Sequence, residues 1–143
     1  MKIILLTVFI LLLNNSYSQN ICIKIDSIKV YYLPWYLSTR LSLDEYEVRN
    51  FKENYLKKKV LLDSISIVEF SNINLSNNNL LTDTEPLDIR MVIDIYFEKQ
   101  FITIGLDRIL YCNFLGETYS RNKDLNNWIS RFVLATDEFL PRR

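Results

Sequence analysis

Asp88, Asp94 and Glu98 recur on the even-numbered side of one alternating segment, with Arg90 and Tyr96 between them. Two carboxyl groups held near a common substrate, with pKa values pushed apart, act as general acid and general base. This trio is the chain's nearest approach to such a set. Along a strand, however, side chains on one side are spaced by more than about 6 Å per repeat and do not form a pocket by themselves. A solvent-facing sheet surface with alternating charges is the plainer reading, and no residue is assigned as catalytic. Asp88-Ile89-Arg90 and Asp107-Arg108 offer arginines to a phosphate or carboxylate, but both pairs also suit a strand edge and a turn. The chain has no histidine, which removes histidine-based triads and the usual metal clusters. Gly105 and Gly116 belong to no phosphate-binding loop; a crowded strand position and a turn are their expected places. No cofactor and no metal site is expected.

Aromatic residues offer a second kind of chemistry. Tyr31, Tyr32, Trp35 and Tyr36 fall within six residues around Pro34, and tyrosine and tryptophan are favoured where proteins meet. They form the candidate interaction patch, against the alternative that they serve the chain's own core.

Cys22 and Cys112 are the two cysteines. In an oxidising compartment a bridge between them, closing so long a loop, would contribute roughly 2 to 4 kcal/mol; two buried free thiols are the alternative. The compartment follows from residues 1–18. Lys2 precedes the apolar run Ile3–Leu13, and Asn14-Asn-Ser-Tyr-Ser18 follows, the order of a secretory signal peptide. Eleven residues fall short of the roughly 20 needed to cross a bilayer as a helix, so no permanent membrane span is expected after cleavage. Gln19-Asn20-Ile21 before Cys22 lacks the small residue that lipoprotein processing requires.

Cleavage after Ser18 of the 143-residue chain leaves 125 residues, enough for one domain with a real core. With Lys2 gone the 17 acidic residues exceed the basic ones by one. That balance gives no support to steering toward nucleic acid.

The elements that must position these groups come from periodicity. Ile21–Leu33 reads as a strand that changes phase at Asp26-Ser27, ended by Pro34. Ser42 with Glu45 has capping-box spacing, and Lys57–Lys59 reads as a solvated run. Asp63 can cap a helix with Ile65, Val68 and Phe70 turned inward. Asn72–Thr84 reads as a loop. Ile89, Met91, Ile93, Ile95 and Phe97 alternate as one face of a half-buried strand; Ile102, Ile104 and Leu106, then Ile109–Leu115, complete a three-stranded meander. Asn122 caps a terminal helix whose Leu125, Trp128, Ile129, Phe132 and Val133 make one apolar stripe.

The expected fold is α+β, a mostly antiparallel sheet with a C-terminal amphipathic helix and one or two further helices packed on it. Residues 1–18 are read as a signal peptide and 19–143 as a single domain, exported to the periplasm or outside the cell. The function read from these features is binding of another protein or an envelope component, with no chemistry assigned. The alternative is a small cofactor-independent hydrolase using acidic residues.

Overall fold

In the computed structural model, which describes residues 24–34, 36–75, 79–82 and 85–134, six strands form one antiparallel sheet in the order β2-β1-β3-β4-β5-β6. The strands are β1 (Ser27–Tyr32), β2 (Lys57–Leu61), β3 (Ile89–Phe97), β4 (Gln100–Asp107), β5 (Cys112–Phe114) and β6 (Glu117–Tyr119). Three helices join them: α1 (Glu45–Arg49), α2 (Ser64–Ser71) and α3 (Lys123–Trp128), which runs on into a π-helical turn at Ile129–Val133. The α+β arrangement is the one expected. The leader at 1–18 lies outside the described residues, and among those described no helix is long and apolar enough to cross a membrane.

Alternation in the strands builds the larger core on one face of the sheet. Ile28 and Val30 of β1, Met91, Ile93, Ile95 and Phe97 of β3, and Ile102, Ile104 and Leu106 of β4 are all buried there. Phe70 of α2 and Leu125, Trp128, Ile129 and Val133 close over them. Asn122 caps α3 as its sequence implies, its side chain accepting the Leu125 N–H.

Asp63 caps α2 by accepting the Ser66 N–H, but the inward face differs from the expectation. Ile65 and Val68 are exposed, while Ser66 and Phe70 are buried. The cause is Trp128, whose indole Nε1–H donates to the Ser66 carbonyl at 2.8 Å and whose ring meets Phe70 edge-on at 4.8 Å. A large side chain at position 66 would hold the two helices apart; serine admits the indole, and its hydroxyl is taken by Asp63.

The meander is present, and each of its connections relies on backbone conformations with positive φ. Glu98 adopts φ 55° in the β3–β4 turn, and Leu110 φ 66° in the longer β4–β5 connection. There Asp107 accepts the N–H groups of Ile109 and Tyr111. Leu115 and Gly116, at φ 52° and 83°, both lie in the left-handed region between β5 and β6, the pattern of a type I′ hairpin.

Two expectations about β3 are corrected. The strand is buried on both faces over most of its length rather than half-buried, with Arg90 and Asp94 each 1% exposed and Tyr96 only partly covered. Ile89 also leaves the face shared by Met91, Ile93, Ile95 and Phe97, because the register with β4 shifts between Ile89 and Met91. One extra residue reverses the side on which the following side chains fall. Ile89 therefore joins Leu33, Leu43, Val48, Leu56 and Val92 in a smaller core on the second face, beneath α1.

Candidate functional site

The second face is ordered in rows across the strands. Ser27, Tyr96 and Phe101 are opposite one another; next come Val60, Lys29, Asp94 and Thr103; then Lys58, Tyr31, Val92, Gly105, Asn113 and Thr118. Helix α1 sits over the third row and reaches the second with one side chain, leaving the first open.

Helix α1 starts at Asp44, not at Ser42. Asp44 has the extended backbone of a cap, its side chain accepts the Glu47 N–H, and Glu47 returns to the Asp44 N–H. The capping box is thus two residues later than the Ser42–Glu45 spacing suggests. A helix this short has little stability of its own. Val48 anchors it in the smaller core, and Arg49 ties it to the sheet. Arg49 Nε donates to Asp94 Oδ2 at 2.9 Å, and Nη2 donates to Asp94 Oδ1 at 2.6 Å and to Thr103 Oγ1 at 2.7 Å. Thr103 in turn donates to Asp94 Oδ1 at 2.7 Å. The bond to Asp94 is the main cause that raises the Arg49 pKa further. Burial raises that of Tyr31, with Tyr96 and Asp94 adding to it.

The acidic trio is dispersed. Asp94 is consumed by Arg49 and Thr103, and Glu98 is exposed in a turn. Asp88 accepts the Leu43 N–H through Oδ1 and two N–H groups of Arg90 through Oδ2. Arg108 Nε stands 3.3 Å from the same Oδ2, and Arg108 Nη2 donates to the Leu37 carbonyl. Both arginines offered as anion ligands therefore brace the segment before α1 around Asp88. Asp94 is buried under α1, so the solvent-facing charged surface expected on this side does not exist there.

Within the proposed aromatic patch, the two strand tyrosines face opposite sides of the sheet. Tyr31 packs in the second-face core and Tyr32 against the first, because neighbours in a strand face opposite sides. Tyr36 is 76% exposed, and Trp35 lies outside the described residues.

What the second face leaves open is a different set. Phe101 and Val60 are 48% and 53% exposed. Tyr96 stacks on Phe101 with ring centroids 5.2 Å apart. Lys29 Nζ lies 4.4 Å from the Tyr96 ring centre, Arg49 5.9 Å from that of Phe101, and Lys58 6.0 Å from that of Tyr31. The sequence carries a faint sign of this: Phe101 is out of phase with Ile102, Ile104 and Leu106, as Tyr96 is with Ile95 and Phe97, so both aromatics belong to the side assigned to polar residues.

Beside α1 is an open depression of about 560 Å³ lined by Asp44, Glu45, Glu85 and Glu117 among others. Asp44 is occupied as a helix cap, Glu45 accepts from Asn113 and Glu117 from Tyr119. Among the described residues no three histidine, cysteine or acidic side chains are grouped to hold a metal ion.

Cys112 is buried in the larger core, and burial pushes its thiol up to about 12. Cys22 lies outside the described residues.

Set against protein family models, curated proteins and solved structures, the chain matches none, and its function is read from its own surface.

Proposed function

We propose that the protein is exported and binds another protein or an envelope component through the open part of its second sheet face. The observation carrying this reading is the exposed Phe101 ring stacked on a partly buried Tyr96, with exposed Val60 and three cations around them. A monomer gains nothing from leaving such rings in water, whereas aromatic and arginine side chains are enriched where protein surfaces meet. The leader, Lys2 through Ser18, supports export. The reading does not depend on a Cys22–Cys112 bridge.

The acidic-residue hydrolase has less behind it. Asp88 and Asp94 are each held by arginine, and three of the four carboxylates at the depression beside α1 already accept hydrogen bonds.

The test is capture from the native envelope or growth medium with the wild type and with Phe101→Arg. The expected result is a reproducible partner for the wild type that the folded variant fails to retain, and an intact mass beginning at Gln19. Hydrolysis by the wild type, abolished by Glu85→Gln, with no partner recovered, would select the enzyme instead.

A further inference from the structure

We infer that the partner segment received by this face is an acidic polypeptide, its carboxylates taken by Lys29 and Lys58 and its apolar side chains laid on Phe101 and Val60. This deepens the binding role proposed above and rests on it.

Charge complementarity carries the inference. Arg49 is neutralised by Asp94, but Lys29 and Lys58 make no ion pair among the described residues. Each rests over a tyrosine ring, on adjacent strands of the same face. An ammonium over a ring is already partly stripped of water, and moving onto a carboxylate exchanges a cation–π contact for a stronger charge-assisted bond. The carboxylates near these rows do not compete. Asp94 is 1% exposed and bound by Arg49, Glu45 is bonded to Asn113, and Glu98 is at the hairpin tip. The open rows are therefore positive, although the whole chain has zero formal charge.

Aromatic rings with lysines on a sheet also suit single-stranded nucleic acid, but the geometry here favours protein. β3 lies between β1 and β4, and the Tyr96 ring is in contact with both Lys29 and Phe101. Two lysines are few for a groove that must follow a phosphate backbone over several nucleotides, whereas they match a pair of carboxylates.

The experiment uses protein purified after expression of the whole 143-residue chain, titrated at low salt with a random glutamate–tyrosine copolymer, polylysine and an oligothymidylate. The expected result is saturable binding of the acidic copolymer. That binding should be about tenfold weaker for Lys29→Gln/Lys58→Gln and for Phe101→Ala, and unchanged for Lys123→Gln, whose lysine lies on α3. Removing two lysine charges should also flatten its salt dependence. Equal copolymer affinity in the lysine variant, or oligothymidylate bound as tightly as the copolymer, would overturn the inference. If either occurs while Phe101→Arg still abolishes partner capture, the acidic chemistry fails and the interface stands; loss of both results rejects both.

Discussion

Arg49, at the end of a five-residue helix, holds Asp94 in the middle of an interior strand by two hydrogen bonds of 2.9 and 2.6 Å, across 45 residues of sequence. Asp94 is 1% exposed and Arg49 24%, so the carboxylate depends on this partner for most of what water would otherwise provide. Breaking one half of a buried pair is costly where replacing both halves is not. Arg49→Met should therefore lose about 3 kcal/mol of stability, and Arg49→Met with Asp94→Leu should recover most of it. Urea unfolding of the two single variants and the double variant measures the coupling. A loss no larger than that of an exposed ion pair, or no recovery in the double variant, would show that Val48 and the Glu45–Asn113 bond hold α1 without Arg49.

Turn chemistry gives a change in the opposite direction. Leu115 holds φ 52° before Gly116 at 83°, a conformation that costs an ordinary L-residue roughly 1 to 2 kcal/mol and that asparagine tolerates better. Leu115 is also 49% exposed, so little burial is lost with it. Leu115→Asn should raise stability by about 1 kcal/mol. Thermal and urea melts check it, and an unchanged or lower midpoint would mean that the leucine's contacts at the hairpin outweigh its strain.

Cys112 makes stability depend on alkaline pH. Burial raises its pKa from 9.0 to about 12, so the folded protein favours the neutral thiol. Above 9.0 the unfolded chain gives up this proton more readily than the folded one, and stability falls as pH rises toward about 12. Below 9.0 both states keep the proton, and the full contribution is present. Replacing Cys112 with alanine should remove part of that alkaline slope. In the folded wild type the thiol should alkylate slowly at neutral pH and rapidly once unfolded without reductant. An unfolded, unreduced chain that stays unreactive would instead show the sulfur to be bridged.

The elements legible in sequence were those specified by nearby residues. Asn122 three residues before Leu125, and Leu125, Trp128, Ile129 and Val133 at helical spacing, define both the start of α3 and the buried stripe that α3 and the π-helical turn after it share. Asp63 likewise marks the start of α2. What covers each face is a longer-range matter. Ile65 and Val68 have the composition of core residues, yet the indole of Trp128 selects Ser66 from a distance of 62 residues. Asp94 and Arg90 look like surface charges until Arg49 and Asp88 are seen to meet them. The open platform was illegible for the same reason: alternation assigns Tyr96 and Phe101 to a side, but only the short reach of α1 leaves that end of the side uncovered.

Gly105 lies beneath the near end of that helix. A Cβ at this position would lie 2.7 Å from Glu45 Oε1 and 3.0 Å from Ile89 Cδ1, so the Glu45 carboxylate occupies space that a side chain here would claim. A methyl group there would turn that flexible side chain aside, away from the Asn113 amide it now accepts from at 2.8 Å. One anchoring bond between helix and sheet is thus conditional on an absent methyl group, at a position whose own contribution is empty space.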